Sequence, residues 1–109
     1  MNEELLDLYP LRECEYKVNS DKVTIIYDKF EKTFLDKIIK NKKKRIAKID
    51  LDKIGSFVWL NCNGKKKVFE IIEETEQAFG DKEEKIKERA ILFLNQLAQK
   101  KFIRFYSIK

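Results

Sequence analysis

The chain has 109 residues, 43% of them hydrophobic and 12% aromatic, enough for one domain, residues 1–109, with a real but small core. It has no histidine, and its two cysteines, Cys14 and Cys62, fit no metal or redox spacing, so both are expected as reduced thiols in a cytoplasmic protein. No apolar run approaches the roughly 20 residues of a membrane span and no signal-like segment is seen, so neither membrane insertion nor secretion is expected. The formal charge of +5 is local: "KIIKNKKKRIAK", residues 37–48, holds seven Lys or Arg and no acid, which leaves 17 basic against 19 acidic residues elsewhere.

Residues 1–14 read as an N-terminal arm. In residues 15–28, "EYKVNSDKVTIIYD", Tyr, Val, Thr and Ile flank Asn19-Ser20-Asp21, the chemistry of a hairpin of two antiparallel strands. Residues 29–44 place Phe30, Phe34, Leu35, Ile38 and Ile39 at helical spacing and then run into lysines. This predicts an inserted amphipathic helix followed by a basic loop. "RIAKID", residues 45–50, predicts a third strand.

From Asp50 the period becomes 3.6. Asp50 or Asp52 is expected to cap a helix burying Leu51, Ile54, Phe57 and Val58, with Asn63-Gly64 after its end. A second helix is expected from Val68 through Ile71, Ile72 and Thr75 to Phe79, stopped by Gly80. The third is expected to start at an Asp81/Glu84 capping box and to bury Ile86, Ala90, Phe93, Leu94 and Leu97. "KKFIRFYSI" then predicts a terminal strand or wing. The fold class is α+β: a three-stranded antiparallel sheet followed by three helices and a short terminal strand, the layout of a winged helix-turn-helix.

The residues that usually carry catalysis are missing. Gly55, Gly64 and Gly80 form no phosphate-cradling spacing, and no histidine is present to work near neutral pH. The pairs Glu73-Glu74 and Glu83-Glu84 alternate with lysines and diverge on a helix, which reads as a solvated face. An enzyme is therefore not expected, and neither is a cofactor or a metal site.

The stretch "LDKIGSFVW", Gly64 after it, "VFEII", Phe79-Gly80 and "FLNQLAQKKFI" together resemble the PqqD-like family, in particular a longer subgroup with an inserted helix before the third strand and an opening like "LLDLYPLRE". The resemblance implies a noncatalytic peptide chaperone, the recognition element that takes the leader of a ribosomally made precursor peptide to a modifying enzyme. In the pyrroloquinoline quinone pathway that enzyme is of the radical SAM type. The leader would add antiparallel to the third strand, here Arg45, Ile46, Ala47, Lys48, Ile49 and Asp50, and lie against the third helix. On that helix Leu92 falls beside Lys85, Arg89 and Gln96, away from the core side, while Arg89 and Phe93 match positions where the subgroup carries Arg and an aromatic. One departure is Lys67 where the family often has Thr or Ser, a lost cap worth about 1 kcal/mol.

Two other readings compete. A winged helix also suits DNA, but "DKEEKIKER" carries four acids and four bases, a poor match to phosphates. The edge strand and the inserted helix could instead be covered by another copy or by a larger enzyme. Gly55 and Trp59, four apart on one helical face, are expected as scaffold: the glycine for close approach of another element, the tryptophan with its indole N–H toward a polar partner.

Overall fold

A computed structural model describes residues 3–28, 46–80 and 85–107. The expected inserted helix and basic loop, residues 29–44, and with them Arg45, Asp81 and Glu84, lie outside the described residues. In chain order the elements are α1 (Glu3–Leu6), β1 (Tyr9–Arg12), β2 (Glu15–Asn19), β3 (Lys22–Asp28), β4 (Ile46–Asp50), α2 (Lys53–Leu60), α3 (Val68–Phe79), α4 (Ile86–Gln99) and β5 (Ile103–Tyr106). The fold is α+β with antiparallel sheets.

The hairpin forms as its residues require. β2 pairs with β3 from Glu15↔Ile26 to Asn19↔Lys22, and Ser20 takes a left-handed φ of 59° in the two-residue turn. β4 joins the other side of β3, Thr24↔Asp50 through Asp28↔Ile46, to give the order β2-β3-β4. Tyr16, Val23, Ile25, Ala47 and Ile49 share the inner face, where Val23 and Ile25 are completely buried. The ladder ends in a side chain: Leu51 N–H donates to the Val23 carbonyl at 2.8 Å, but Val23 N–H donates to Ser56 Oγ at 2.8 Å. Ser56, fully buried on α2, thereby ties helix to sheet and leaves no orphaned donor.

The arm is more structured than expected, and the terminal strand is placed differently. β1 pairs with β5 in a separate two-stranded sheet, Tyr9↔Tyr106 to Arg12↔Ile103. The other side of β1 holds the α2–α3 connection, with Arg12 N–H on the Cys62 carbonyl at 2.9 Å and Gly64 N–H on the Pro10 carbonyl at 2.8 Å. Pro10 is tolerated because its missing N–H is not needed by β5. Gly64 supplies the φ of 78° that this approach demands, three residues beyond the α2 cap at Asn61. Arg12 also donates to the Trp59 and Leu60 carbonyls at 3.0 and 2.9 Å, placing a cation on the last turn of α2.

The helix starts show three solutions. Asp52 caps α2, its Oδ1 accepting from Gly55 N–H at 2.7 Å. At α3 Lys67 offers no acceptor, as its sequence implies, but Val68 N–H is taken by the Leu8 carbonyl of the arm at 2.9 Å. Glu70 reaches back to Lys67 N–H at 2.8 Å, one half of a capping box. α4 begins at Ile86, with Lys85 as its cap residue in a left-handed conformation, φ 62°. Gly80 caps α3 in a right-handed conformation, φ −59°.

Leu51, Val58, Trp59, Val68, Ile71, Ile72, Ala90, Leu94, Leu97, Phe102 and Ile103 pack on Val23 and Ile25 as one core. On α2 the buried side differs from expectation: Gly55, Ser56, Val58 and Trp59 are buried, whereas Ile54 and Phe57 are only half-buried. Phe57 instead meets Phe79 edge-on at 5.6 Å along the α2–α3 boundary. Phe93 is likewise half-buried. Trp59 is fully buried and T-shaped against Tyr16 at 5.8 Å, but its indole N–H has no acceptor among the described residues. The expected polar partner of the indole is therefore not found among the described residues.

Cys62 shows what this core does to an ionisable group. Burial pushes its thiol from 9.0 up to about 12, against a smaller downward pull from Arg12. The thiol donates to the Val58 carbonyl at 3.2 Å. Since the folded value lies above the unfolded one, its contribution to stability is complete below pH 9 and declines as pH rises from 9 toward 12. At pH 8 iodoacetamide should leave Cys62 unmodified in the folded protein and label it in denaturant, as peptide mass mapping would show. Labelling of the folded protein at a free-thiol rate would contradict this burial.

Candidate functional site

β4 is an edge strand: among the described residues nothing pairs with its outer side. The direction of its peptide groups follows from the ladder. Because Leu51 N–H reaches the Val23 carbonyl, alternation makes Ile49 and Ala47 face β3, while Asp50, Lys48 and Ile46 face outward. The side chains alternate in the same phase: Ala47 and Ile49 are half-buried, and Ile46, Lys48 and Asp50 are exposed, Ile46 by 54%. Asp50 Oδ1 accepts from Thr24 Oγ1 at 2.6 Å, which steadies the end of the strand without using its outward peptide groups.

Two residues past β4 a pocket of about 100 Å³ opens between α2 and α4, lined by Asp52, Ile54, Gly55, Val58, Arg89, Ala90 and Phe93. Its walls are apolar. At its rim Arg89 Nη2 lies 3.6 Å from Asp52 Oδ2, both half-exposed, a pair worth no more than about 1 kcal/mol in solvent. Gly55 forms the floor: a Cβ there would stand 3.4 Å from Phe93 Cζ and 3.0 Å from Asp52 Oδ1. The close approach expected of Gly55 is thus made by the Phe93 ring.

Of the residues singled out from sequence, Arg89 and Phe93 meet in this pocket. The turn spacing of α4 carries the same stripe on through Gln96 and Leu92, both exposed, Leu92 by 60%, and back to the exposed Lys85. Ile46 to Asp50 supply the edge. Asp52, Ile54, Gly55 and Val58, expected only as scaffold or core, also line the pocket. The sequence signal that could have found them is the pair Asp52 and Gly55, a cap and a missing Cβ one turn apart.

Gly55→Ala should be nearly neutral for stability. The Cβ forces Asp52 to move and weakens its cap, a loss of about 1 kcal/mol, and removing a helical glycine returns a similar amount. The midpoint of thermal unfolding should shift by no more than about 5 °C. A much larger drop would mean that Phe93 cannot yield.

Among the described residues no helix is long and apolar enough to cross a membrane. A family model described as coenzyme PQQ synthesis protein D (PqqD) matches residues 45–103, more than half of the chain. The match takes in β4, α2 and α4, which build the edge and the pocket, together with α3. No curated protein and no solved structure matches.

Proposed function

The chain belongs to the PqqD family, and from that premise we propose that it is a noncatalytic peptide-binding protein that captures the leader of a ribosomally synthesised precursor peptide and presents it to a modifying enzyme of the radical SAM type. The observation that carries this reading is the unpaired edge of β4, with the outward peptide groups of Ile46, Lys48 and Asp50, and the pocket lined by Asp52, Arg89 and Phe93 that begins two residues after the strand. A strand laid antiparallel on that edge gains main-chain hydrogen bonds, and every second side chain turns toward α4. In this reading the three helices and the strands around them act as a winged helix-turn-helix, Arg45 extends the docking edge, and Lys85, Arg89, Leu92, Phe93 and Gln96 form the far wall. The binding itself needs no cofactor.

The test uses a synthetic peptide copied from the leader of a precursor encoded beside this chain. At tens of micromolar, an affinity of about −7 kcal/mol should shift amide signals at 45–50 and 85–99. Absence of shifts, or shifts centred elsewhere, would overturn the proposal.

A further inference from the structure

The three-stranded sheet has a second open edge, on β2. Since Val23, Ile25 and Tyr27 face β4, alternation turns Lys22, Thr24 and Ile26 toward β2, where they meet Asn19, Lys17 and Glu15. Tyr16 and Val18 therefore present their N–H and C=O groups outward, and among the described residues nothing pairs with them. The side chains deepen the contrast. Val18 lies on the inner, core-facing side of the sheet yet is 50% exposed, while Glu15 and Lys17 stand on the outer face with no ion-pair partner among the described residues.

We infer that the free edge of β2 pairs with β2 of a second copy of this chain, antiparallel about Tyr16, to form a two-fold dimer held by two Glu15–Lys17 cross-strand pairs. An isologous edge must match itself; of the registers that keep the outward peptide groups facing, symmetry about Val18 sets Lys17 against Asn19 and gains no ion pair, and charge ranks the others. Symmetry about Glu15 sets carboxylate against carboxylate, and symmetry about Lys17 sets ammonium against ammonium. Symmetry about Tyr16 places each Glu15 opposite the other copy's Lys17, twice. In that register Tyr16 exchanges hydrogen bonds with its counterpart, and each Val18 reaches the other copy's Tyr16 diagonally on the inner face, which covers its exposed surface. Tyr16 is well fixed for this, edge-on to Trp59 and with the Arg12 guanidinium 5.1 Å from its ring centre. The two sheets become one of six strands with a β4 edge free at each end, so dimerisation does not compete with strand addition there.

The experiment is sedimentation and light scattering on the full chain, from about 10 µM to about 0.5 mM, where a dimer of modest affinity assembles. The wild type should approach twice the monomer mass. Glu15→Lys alone and Lys17→Glu alone each turn two attractive pairs into two repulsive ones, and each should weaken the dimer roughly tenfold. The double variant E15K/K17E restores opposite charges and should dimerise like the wild type. Circular dichroism of each variant confirms that the monomers are folded, since all these side chains are on the solvent face. A wild type that stays monomeric at the highest concentration overturns the inference. So does a dimer indifferent to both single reversals, which would place the contact on β4 or elsewhere, and so does a double variant that remains monomeric.

Discussion

Trp59→Ala should lower the free energy of unfolding by about 3–5 kcal/mol, the cost of emptying an aromatic site in a packed core. Trp59 touches both layers, joining α2 to Tyr16 on β2, so the loss is felt across the domain. With a total stability of about 5–15 kcal/mol for a chain of this size, the variant sits near the edge of folding. Trp59→Phe separates two contributions. It leaves a smaller void, and it removes an indole N–H that has no acceptor among the described residues, relieving a desolvation penalty of about 1–3 kcal/mol. Its net cost should therefore be less than half that of alanine. Denaturant unfolding of both variants is the check, and equal losses would mean that the N–H has a partner after all.

The second large effect concerns neighbouring residues on β4. Lys48→Pro should weaken leader binding by about 10- to 100-fold, since it deletes an outward donor and leaves a leader carbonyl unpaired, about 1–3 kcal/mol. The fold should survive, because Lys48 N–H gives nothing to β3 and proline is accepted on sheet edges. Ala47→Pro should do the reverse of this division. Its N–H faces Tyr27 on β3, so the substitution removes a ladder hydrogen bond, leaves a carbonyl unpaired and costs about 1–3 kcal/mol of stability. Calorimetric titration with the leader peptide, beside thermal melts of both variants, reads the two effects separately. A larger stability loss for Lys48→Pro than for Ala47→Pro would show that the phase of the ladder is the other one.

The elements that local pattern specifies were legible in the chain: the hairpin around Ser20, the Asp52 cap, the face of Ile71, Ile72 and Thr75, and the stop at Phe79. What escaped depends on partners distant in sequence. "YPLR" is four residues with a proline, too short to announce a strand, and it becomes one only against Ile103–Tyr106. Ser56 looks like an ordinary helical serine until Val23 N–H is seen to need it. The missing cap at Lys67 matters less than propensity alone suggests, because Leu8 supplies a carbonyl from the arm. The pocket shows the same limit. Arg89 and Phe93 were reached through the family resemblance, but Asp52, Ile54 and Gly55 join them only when α2 packs on α4.

The outward phase of β4 is what strand addition requires, and amide hydrogen exchange reads it residue by residue. In the free protein Ala47 and Ile49 should be protected, and Lys48 and Asp50 should exchange fast. On adding the leader peptide, Lys48 and Asp50 should slow by at least about tenfold while Ala47 and Ile49 change little. Protection of Lys48 that is the same with and without the leader, in a sample where the peptide is bound, would contradict strand addition on β4.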